Sequence, residues 1–405
     1  MALSLFELPL DLQNYILETL DVFSLVRCTR TCKTMYDIVK NSLLLNYTVQ
    51  LHLDGFKDAG STINMPYSDR LDHLLHRRRF WTSQHLSNPI AVHLEDGSWE
   101  VADGVIAGVD DLHQLKLVQF PPLYDAMGRT ITRKLPGFPI ERFAMDPTQD
   151  VIAFLENNEV SLGTIRIHIR AISNKEDHPC AHESCLQFIL APNPPDDVSI
   201  NRGHLQISGN SLLLRCYSGR HGPFGGVSQP RILMWDWTSG DLVLDTFTSP
   251  NEILAQFDSF EMLDSTSFMT TLADDDGSIN LFKFLQPCAA DLRLVHLAIL
   301  RLPSMVSGTR FSDDLKLYCG PIEANPLPGL PYVANKEYRL HLLKLEYLLE
   351  TKKIAFDLFV HQWVLTKYLS DRTDGLVLDL PWMDWGPMNT RLSCPEPQFV
   401  QCQIR

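Results

Sequence analysis

The sequence predicts an α+β protein of several domains, in which a small N-terminal helical domain precedes a large all-β domain. Residues 5–50 carry apolar side chains three and four positions apart, which is the period of a helix. From about residue 99, short apolar runs are separated by Gly, Pro, Asn and Asp, a pattern typical of strands and turns. At 405 residues the chain is also longer than one compact core usually holds. We predict a helical domain over 1–50, a linker or helical connector over 51–95, and the all-β domain over 96–405.

The composition argues against several classes of partner. The chain is 45% hydrophobic and 21% charged, as in an ordinary globular protein. Its net charge of −14 disfavours a general nucleic-acid binder, which presents a basic face to phosphates. We find no apolar run of the length of a membrane span and no signal peptide. We expect neither nucleic acid nor a membrane as a partner.

The cysteines indicate a reducing compartment. Nine cysteines are scattered through the chain without a regular spacing, and their number is odd. Such a pattern is typical of reduced thiols and not of a disulfide framework. Together with the missing signal peptide, it predicts that the protein is located in the cytoplasm, the nucleus or both.

Three helices are predicted in the first domain. Pro9 suits the start of the first helix, because the N–H that proline lacks is not needed there. That helix places on one face Leu12, Ile16, Leu17 and Leu20. Asp21 is a good N-cap for a second helix over Val22–Cys28, and a third is predicted from the spacing of Cys32, Met35, Tyr36 and Val39. Since so short a domain rarely buries enough surface to be stable alone, we expect another part of the chain, or another protein, to cover it.

A loosely repeated unit runs through the β-rich part. Each unit has a strand, a polar turn, an apolar strand, a variable loop and an alternating strand, and the units occur at 99–118, 141–172, 204–237, 260–284 and 309–345. The turns lie at Pro147–Asp150, Gly209-Asn210, Asp264-Ser265 and Asp313-Asp314. A spacing of roughly fifty to sixty residues is typical of the four-stranded blades of a β-propeller. A β-sandwich, or several packed sheets, is the alternative.

One segment gives the clearest sign of a blade. In Trp235–Leu244, a Trp-Asp pair is followed by Gly240, and the next strand is predicted at Val243-Leu244. This order resembles the strand end and glycine turn that close a WD-type blade. The segment therefore favours a propeller over a sandwich.

No segment carries a complete catalytic motif. The Gly-rich run 219–226 lacks the Lys-Ser/Thr of a phosphate-binding loop, and the acidic run 274–276 is typical of a hairpin turn, with weak calcium binding as the alternative. A single short loop carries four possible zinc ligands, an arrangement that seldom forms a tetrahedral site: His178, Cys180, His182 and Cys185. We predict a non-catalytic protein without metal or cofactor, and zinc at this loop is the alternative.

A basic run lies in the connector. His76–Arg79 is followed by Phe80 and Trp81. Charge runs of this kind usually form the solvated face of a helix, which is our prediction. A contact with a partner is the alternative.

The helical domain resembles an F-box. The resemblance rests on Phe6–Leu20, which reads FELPLDLQNYILETL, and on Asp21–Lys33, which reads DVFSLVRCTRTCK. It includes the Leu-Pro start, the Ile-Leu-x-x-Leu core and a third helix with small residues, in that order. The rest of the chain is similar to F-box proteins of mushroom-forming fungi, in which a propeller-like β-rich region follows the F-box. Asp146–Asp150 and Asp384–Arg391 carry that similarity.

The resemblance implies a substrate-recognition subunit of an SCF-type E3 ubiquitin ligase. In such ligases the F-box docks on the Skp adaptor, which a cullin-RING scaffold holds, and the domain beyond the F-box binds a protein substrate. The subunit makes no bond itself but raises the local concentration of substrate near the ubiquitin-loaded enzyme. For docking on the Skp adaptor, the resemblance points to Leu8, Pro9, Leu12, Ile16, Leu17, Leu20, Leu25, Val26, Cys28, Cys32 and Met35.

Three matters stay open in the sequence. Some of these residues, Leu17, Leu25 and Val26 above all, could instead pack the helices together. The chain could also be a propeller scaffold without a ubiquitin-ligase role, its helices packed against residues 51–95. Because members of the family often continue further beyond the segment that matches Asp384–Arg391, the sequence leaves open whether the closing blade has its last strands, without which its sheet edges would be open. The substrate is unknown, although the acidic balance favours a basic peptide.

Overall fold

A computed structural model describes the chain in two compact units. The first unit contains the described residues up to Ser83 together with 330–335, and the second contains the others. The described residues are 5–60, 64–83, 98–102, 104–109, 114–119, 129–134, 138–157, 164–174, 176–189, 197–219, 228–246, 254, 256–273, 277–285, 293–304, 309–311, 315–320, 330–349, 352–369 and 376–394. Within these ranges, no helix has the length and apolar character needed to cross a membrane.

Five α-helices form most of the first unit: α1 (Leu10–Glu18), α2 (Val22–Thr29), α3 (Lys33–Asn41), α4 (Leu43–Leu53) and α5 (Tyr67–Ser83). The three predicted helices of the first domain are confirmed. Pro9 is the N-cap residue of α1, and the Asp21 carboxylate caps α2 by accepting the Ser24 backbone N–H at 3.0 Å. The capping hydrogen bond satisfies one of the amide donors that a helix start leaves free.

Helix α4 was not predicted as a separate element. Its sequence, LLLNYTVQLHL, is apolar on most sides and therefore has no single apolar face. The structure gives the reason, because α4 is buried in two directions. Leu45 packs with the core of α1, α2 and α3, whereas Tyr47 and Leu51 pack with Leu74 of α5.

A short strand pair completes the first unit. Strand β1 (Phe56–Asp58) pairs antiparallel with Tyr332–Ala334, which is β20 in chain order, and the register joins Phe56 to Ala334. The Tyr47 hydroxyl donates to the Pro331 carbonyl at 3.1 Å, and Tyr332 is buried against the helices. A segment from far along the chain therefore closes the helical unit.

The second unit is a five-bladed β-propeller, which confirms the predicted class and excludes the sandwich. Each of the first three blades is an antiparallel sheet of four consecutive strands. Blade 1 comprises β2 (Ser98–Ala102), β3 (Val105–Val109), β4 (Gln114–Gln119) and β5 (Arg129–Lys134). Blade 2 comprises β6 (Ile140–Asp146), β7 (Val151–Glu156), β8 (Thr164–Ala171) and β9 (Cys185–Ile189). Blade 3 comprises β10 (Asp197–Ser208), β11 (Ser211–Gly219), β12 (Ser228–Asp236) and β13 (Leu242–Asp245).

The last two blades share the C-terminal part of the chain. Blade 4 comprises β14 (Ser259–Asp264), β15 (Ser267–Leu272), β16 (Ser278–Leu285) and β17 (Arg293–Arg301), with β23 (Leu378–Leu380) added in parallel to β17. Blade 5 comprises β18 (Thr309–Phe311) and β19 (Lys316–Cys319), which both pair with β21 (Leu340–Leu349), then β22 (Lys352–His361) and β24 (Thr390–Ser393). Two short helices, α6 (Gln362–Thr366) and α7 (Trp382–Trp385), lie between these strands in sequence.

The closing blade has a strand at each of its four positions. β24 pairs with β22 at the outer edge, with Leu392 opposite Leu358. The question that the sequence left open is answered by the residues after α7, which supply the edge partner of this blade.

Successive blades share their apolar cores. One cluster joins blades 1 and 2, a second joins blades 2 and 3, a third joins blades 3 and 4, and the largest joins blades 4 and 5. Because each blade turns one face toward its neighbour on either side, the strands read as nearly continuous apolar runs. This is why Val151–Leu155 is buried at every position.

Three of the tight turns use the same side-chain device. Asp146, Asp236 and Asp264 each accept a hydrogen bond from the backbone N–H of a threonine two residues later, at 3.0, 2.9 and 2.7 Å. The threonine hydroxyl donates to the same carboxylate oxygen in all three. An Asp side chain that bonds two residues ahead mimics a backbone turn, so these positions fix the reversals. The predicted turn at Asp313-Asp314, the Gly-rich run 220–226 and the acidic run 274–276 lie outside the described residues.

Candidate adaptor-docking surface

The eleven residues assigned to adaptor docking fall into three groups by exposure. Leu17, Leu25 and Met35 are buried in the core shared by α1, α2, α3 and Leu45. Half-buried positions form the second group: Leu8, Leu20, Val26 and Cys28. The exposed positions are Pro9, Leu12, Ile16 and Cys32. The structure therefore brings all eleven into one helical bundle but turns only part of them outward.

The turn of α1 separates residues that the sequence placed on one face. Gln13 and Leu17, four positions apart, point into the bundle and are 7% and 1% exposed. Leu12 and Ile16 each precede them by one position, which rotates them by about 100° around the helix axis. These two side chains are 49% and 39% exposed. They are available to a partner, whereas Leu17 is not.

Several exposed apolar residues beside them were not selected from the sequence. They are Phe6, Leu10, Tyr15, Phe23 and Tyr36. Single exposed apolar residues are ordinary on a protein surface, but so many within the first 36 residues indicate an interaction site. A sequence signal existed for Tyr15, which is apolar yet lies off the stripe predicted for the first helix, whereas Tyr36 was assigned to the spacing of the third helix. We refer to Pro9, Leu12, Ile16 and these five residues as the outer apolar face.

A buried glutamine holds the Leu-Pro turn. The Gln13 side-chain amide donates to the Leu8 carbonyl at 2.7 Å, while the Leu8 backbone N–H donates to the Leu5 carbonyl at 3.2 Å. Since Gln13 is itself buried, these bonds fix the backbone that leads into Pro9. Sequence reasoning missed Gln13, because a glutamine inside a helix does not by itself indicate a structural role.

The comparison with protein families decides what this bundle is. Residues 5–47 match the model of the F-box domain. The N-terminal bundle is an F-box. Behind it, the chain continues into the five-bladed propeller. An F-box implies in general the role of an SCF-type substrate adaptor and binding to a Skp adaptor, and a propeller supports protein interaction.

Other comparisons add little to the F-box match. No curated protein matches the chain. Among solved structures, a chain in the complex of KlAtg21 with the coiled-coil of AgAtg16 is 13% identical, covers 60% of this chain and 77% of its own length, and has a TM-score of 0.31. Uncharacterized protein lmo1340 from Listeria monocytogenes EGD-e is 10% identical, with coverages of 68% and 70% and a TM-score of 0.29. The propeller arrangement rests on the strand pairing of this chain itself.

The predicted zinc alternative is not supported by the position of its residues. His178 is buried, its Nε2 atom lies 3.0 Å from the Gln149 carbonyl, and its Nδ1 atom accepts the Cys180 backbone N–H at 3.2 Å. Both ring nitrogens are therefore used within the protein, and the ring packs edge-on against Trp237. Within the described part of the chain, no group of three His, Cys, Asp or Glu side chains is placed to hold a metal.

The basic run on α5 is only partly solvated. Arg78 donates to the Asp54 carboxylate at 2.9 Å and to the Gln50 side chain at 2.7 Å. Arg77 lies 4.4 Å above the Phe56 ring. These two guanidinium groups tie α5 to α4 and β1, so they have a structural role that the charge run alone did not predict.

Proposed function

We propose that this chain is the substrate-recognition subunit of an SCF-type E3 ubiquitin ligase. Its F-box docks on the Skp adaptor and, through it, on a cullin-RING ligase, while its propeller holds a protein substrate for ubiquitin transfer. The chain supplies proximity and no catalytic group. This role assigns it to the cytoplasm, the nucleus or both, where ubiquitin ligases of this kind work and where its thiols stay reduced.

The observation that carries the proposal is the outer apolar face of the F-box. Leu12 and Ile16 are exposed one turn apart on α1, with Tyr15 between them at 67% exposure. A helix laid across this face would bury their side chains, as amphipathic partners do when they fill an apolar surface. The alternative, a scaffold whose F-box helices pack against 51–95, needs the same side chains to be covered, and their exposure disfavours it.

The test measures binding of the full chain to purified Skp adaptor. We expect Leu8→Ala combined with Pro9→Ala to abolish co-purification. We expect Leu12→Asp and Ile16→Asp each to weaken the affinity by at least about thirtyfold, because a charge would be buried at the centre of the interface. Isothermal titration measures the change.

A matched control is available on the propeller. Ile189 in β9 is 75% exposed, so Ile189→Asp places the same charge on an exposed aliphatic position of the other unit. We expect it to leave adaptor affinity unchanged. If the wild-type chain does not bind the adaptor, or if all three aspartate variants lose affinity equally, the proposed function is wrong.

A further inference from the structure

The inner strands of all five blades enclose one central channel. Its lining residues come from β2, β6, β10, β14 and β19, and the channel has a volume of about 350 Å³. This volume is within the range of small-ligand sites, roughly 300–1,000 Å³. The channel is thus large enough for the end of a long side chain or a small molecule.

Two glutamates line this channel, and they differ in their partners among the residues that the structure describes. Glu261 on β14 forms an ion pair with Arg339 and accepts the Gln206 side-chain amide at 3.0 Å. Arg339 is fixed in turn by the carbonyl oxygens of Met262 at 2.7 Å and Gly320 at 2.6 Å. This guanidinium is therefore committed to Glu261 and to the backbone.

Within the part of the chain that the structure describes, the other glutamate has no cationic partner. Glu100 on β2 lines the channel, and among the described residues no basic side chain or hydrogen-bond donor pairs with its carboxylate. Burial raises its pKa to about 7, and the negative charge of Glu261 adds to that effect. A half-buried carboxylate is costly to leave unpaired, so a cation that pairs with Glu100 would gain a favourable interaction.

Two further side chains of the channel lining carry an oxygen atom that has no partner in the described part of the chain. Ser208 is 4% exposed, it lines the channel, and its hydroxyl has no hydrogen-bond partner among the described residues. Gln206 turns its amide nitrogen to Glu261, which leaves its buried side-chain oxygen without a partner in the same part of the chain. With Glu100, the channel presents three oxygen sites that can accept hydrogen bonds from a ligand rich in donors.

We propose that the channel binds the cationic end of an arginine or lysine side chain from the protein that the propeller receives. The ammonium or guanidinium group pairs with Glu100 and donates to the oxygens of Gln206 and Ser208. A guanidinium has five N–H donors and no acceptor, and this matches a wall that offers oxygens and a negative charge. This proposal depends on the proposed function in one respect, namely that the cationic side chain belongs to a protein held by the propeller.

An anion fits the channel poorly. Its inner strands contribute Glu100, Asp146 and Glu261, and the single imidazole, His204, has a pKa lowered by enclosure and by Arg215 and Arg142. The imidazole is therefore neutral near pH 7. A phosphate or a carboxylate would have to lie beside the carboxyl groups of Glu100 and Asp146, which line the same channel.

Binding should also be coupled to proton release. The carboxyl group of Glu100 has a pKa of about 7 and is therefore mostly protonated below pH 7. A cation that pairs with the carboxylate must displace that proton. Affinity should therefore rise between pH 6 and pH 8. The neighbouring strand β3, of sequence VIAGV, contributes no titratable group. On the strands across the channel, the titratable groups that line it are Asp146, His204, Glu261, Tyr318 and Cys319. Burial raises the pKa of the Cys319 thiol.

The experiment uses the full chain without any adaptor protein. Its probe is the blocked peptide acetyl-Gly-Arg-Gly-amide, with the lysine peptide beside it and the citrulline peptide as the uncharged isostere of arginine. Titration followed by NMR or calorimetry should show saturable binding of the cationic peptides and none of the citrulline peptide. Glu100→Gln should weaken binding at least about tenfold and remove its rise with pH.

The matched control is Glu183→Gln, which removes the same charge from an exposed position on the propeller. We expect it to keep the affinity and the pH dependence. Absence of saturable binding, equal binding of citrulline, or equal losses in the two variants would overturn the inference. Because adaptor docking is measured separately, loss of docking with intact peptide binding would refute the ligase role and leave the channel site standing.

Discussion

At the residue scale, neighbouring side chains on one helix have opposite roles. Leu17 and Leu25 are each 1% exposed and pack the F-box together, whereas Tyr15 and Ile16 on the same helix as Leu17 face outward. Because one residue turns an α-helix by about 100°, a core residue and a docking residue can be adjacent in sequence. Substitutions should therefore separate the stability of the F-box from its capacity to bind.

We predict that Leu25→Ala destabilises the F-box by about 2–5 kcal/mol, because it leaves a cavity among α1, α2 and α3. Tyr15→Ala should change that stability by no more than about 0.5 kcal/mol, since the ring is exposed. Amide hydrogen exchange over the three helices measures both. Similar losses of protection in the two variants would contradict the assignment of Leu25 to the core and Tyr15 to the surface.

At the scale of elements, the first unit depends on a strand from the other end of the chain. Tyr332 of β20 is 2% exposed and lies in a cluster with Tyr47, Leu51 and Leu74. The ion pair of Arg70 with Asp58, at 2.9 Å, ties α5 to the strand that β20 pairs with. Tyr332 of β20 thus completes the core that α4 and α5 share.

We predict that Tyr332→Ala lowers the stability of α4 and α5 by about 3 kcal/mol or more, because it removes a buried aromatic ring. Ala334→Ser, at the exposed end of the same strand, serves as the control and should have little effect. Hydrogen exchange of the amides in 43–53 and 67–83 reports the change. If these amides keep wild-type protection in Tyr332→Ala, the strand does not support the helices.

At the scale of the whole molecule, the C-terminal segment holds the last two blades. It adds β23 to the edge of blade 4 and β24 to the edge of blade 5. Between them, Trp385 is fully buried and its indole N–H donates to the Arg301 carbonyl at 2.9 Å. Apart from β23, the described strands of blade 4 follow one another in sequence, so this segment adds a distant strand to blade 4 before it completes blade 5.

Gly386 offers a test of that link. A Cβ at this position would overlap the Trp382 ring, so Gly386→Ala forces the ring or the backbone to move. We expect a loss of about 1–3 kcal/mol in the stability of the propeller, as for other overpacked sites. Met388→Ala, at 93% exposure, should change it by less than about 0.5 kcal/mol. Thermal unfolding distinguishes them, and an unchanged midpoint for Gly386→Ala would exclude a supporting role for this packing.

Much of the fold could be predicted because its signals are local. The Asp21 cap, the Trp235–Leu244 turn and the five strand-turn-strand units each depend on residues close in sequence. The candidate docking site was predicted less completely. The F-box helices were found, but the outward turn of Leu12 and Ile16 against the inward turn of Leu17 depends on how the helices pack.

Periodicity and turn chemistry act over a few residues, so the helices of the F-box, the β-rich part that follows them and the repeat of the five blades could all be read from local patterns. Packing in three dimensions fixes which apolar residues stay exposed, which distant strand completes the helical unit, and that Glu100, Ser208 and Glu261 meet in one channel. These residues come from different blades, so no local pattern relates them. They become neighbours only when the blades assemble around a common axis.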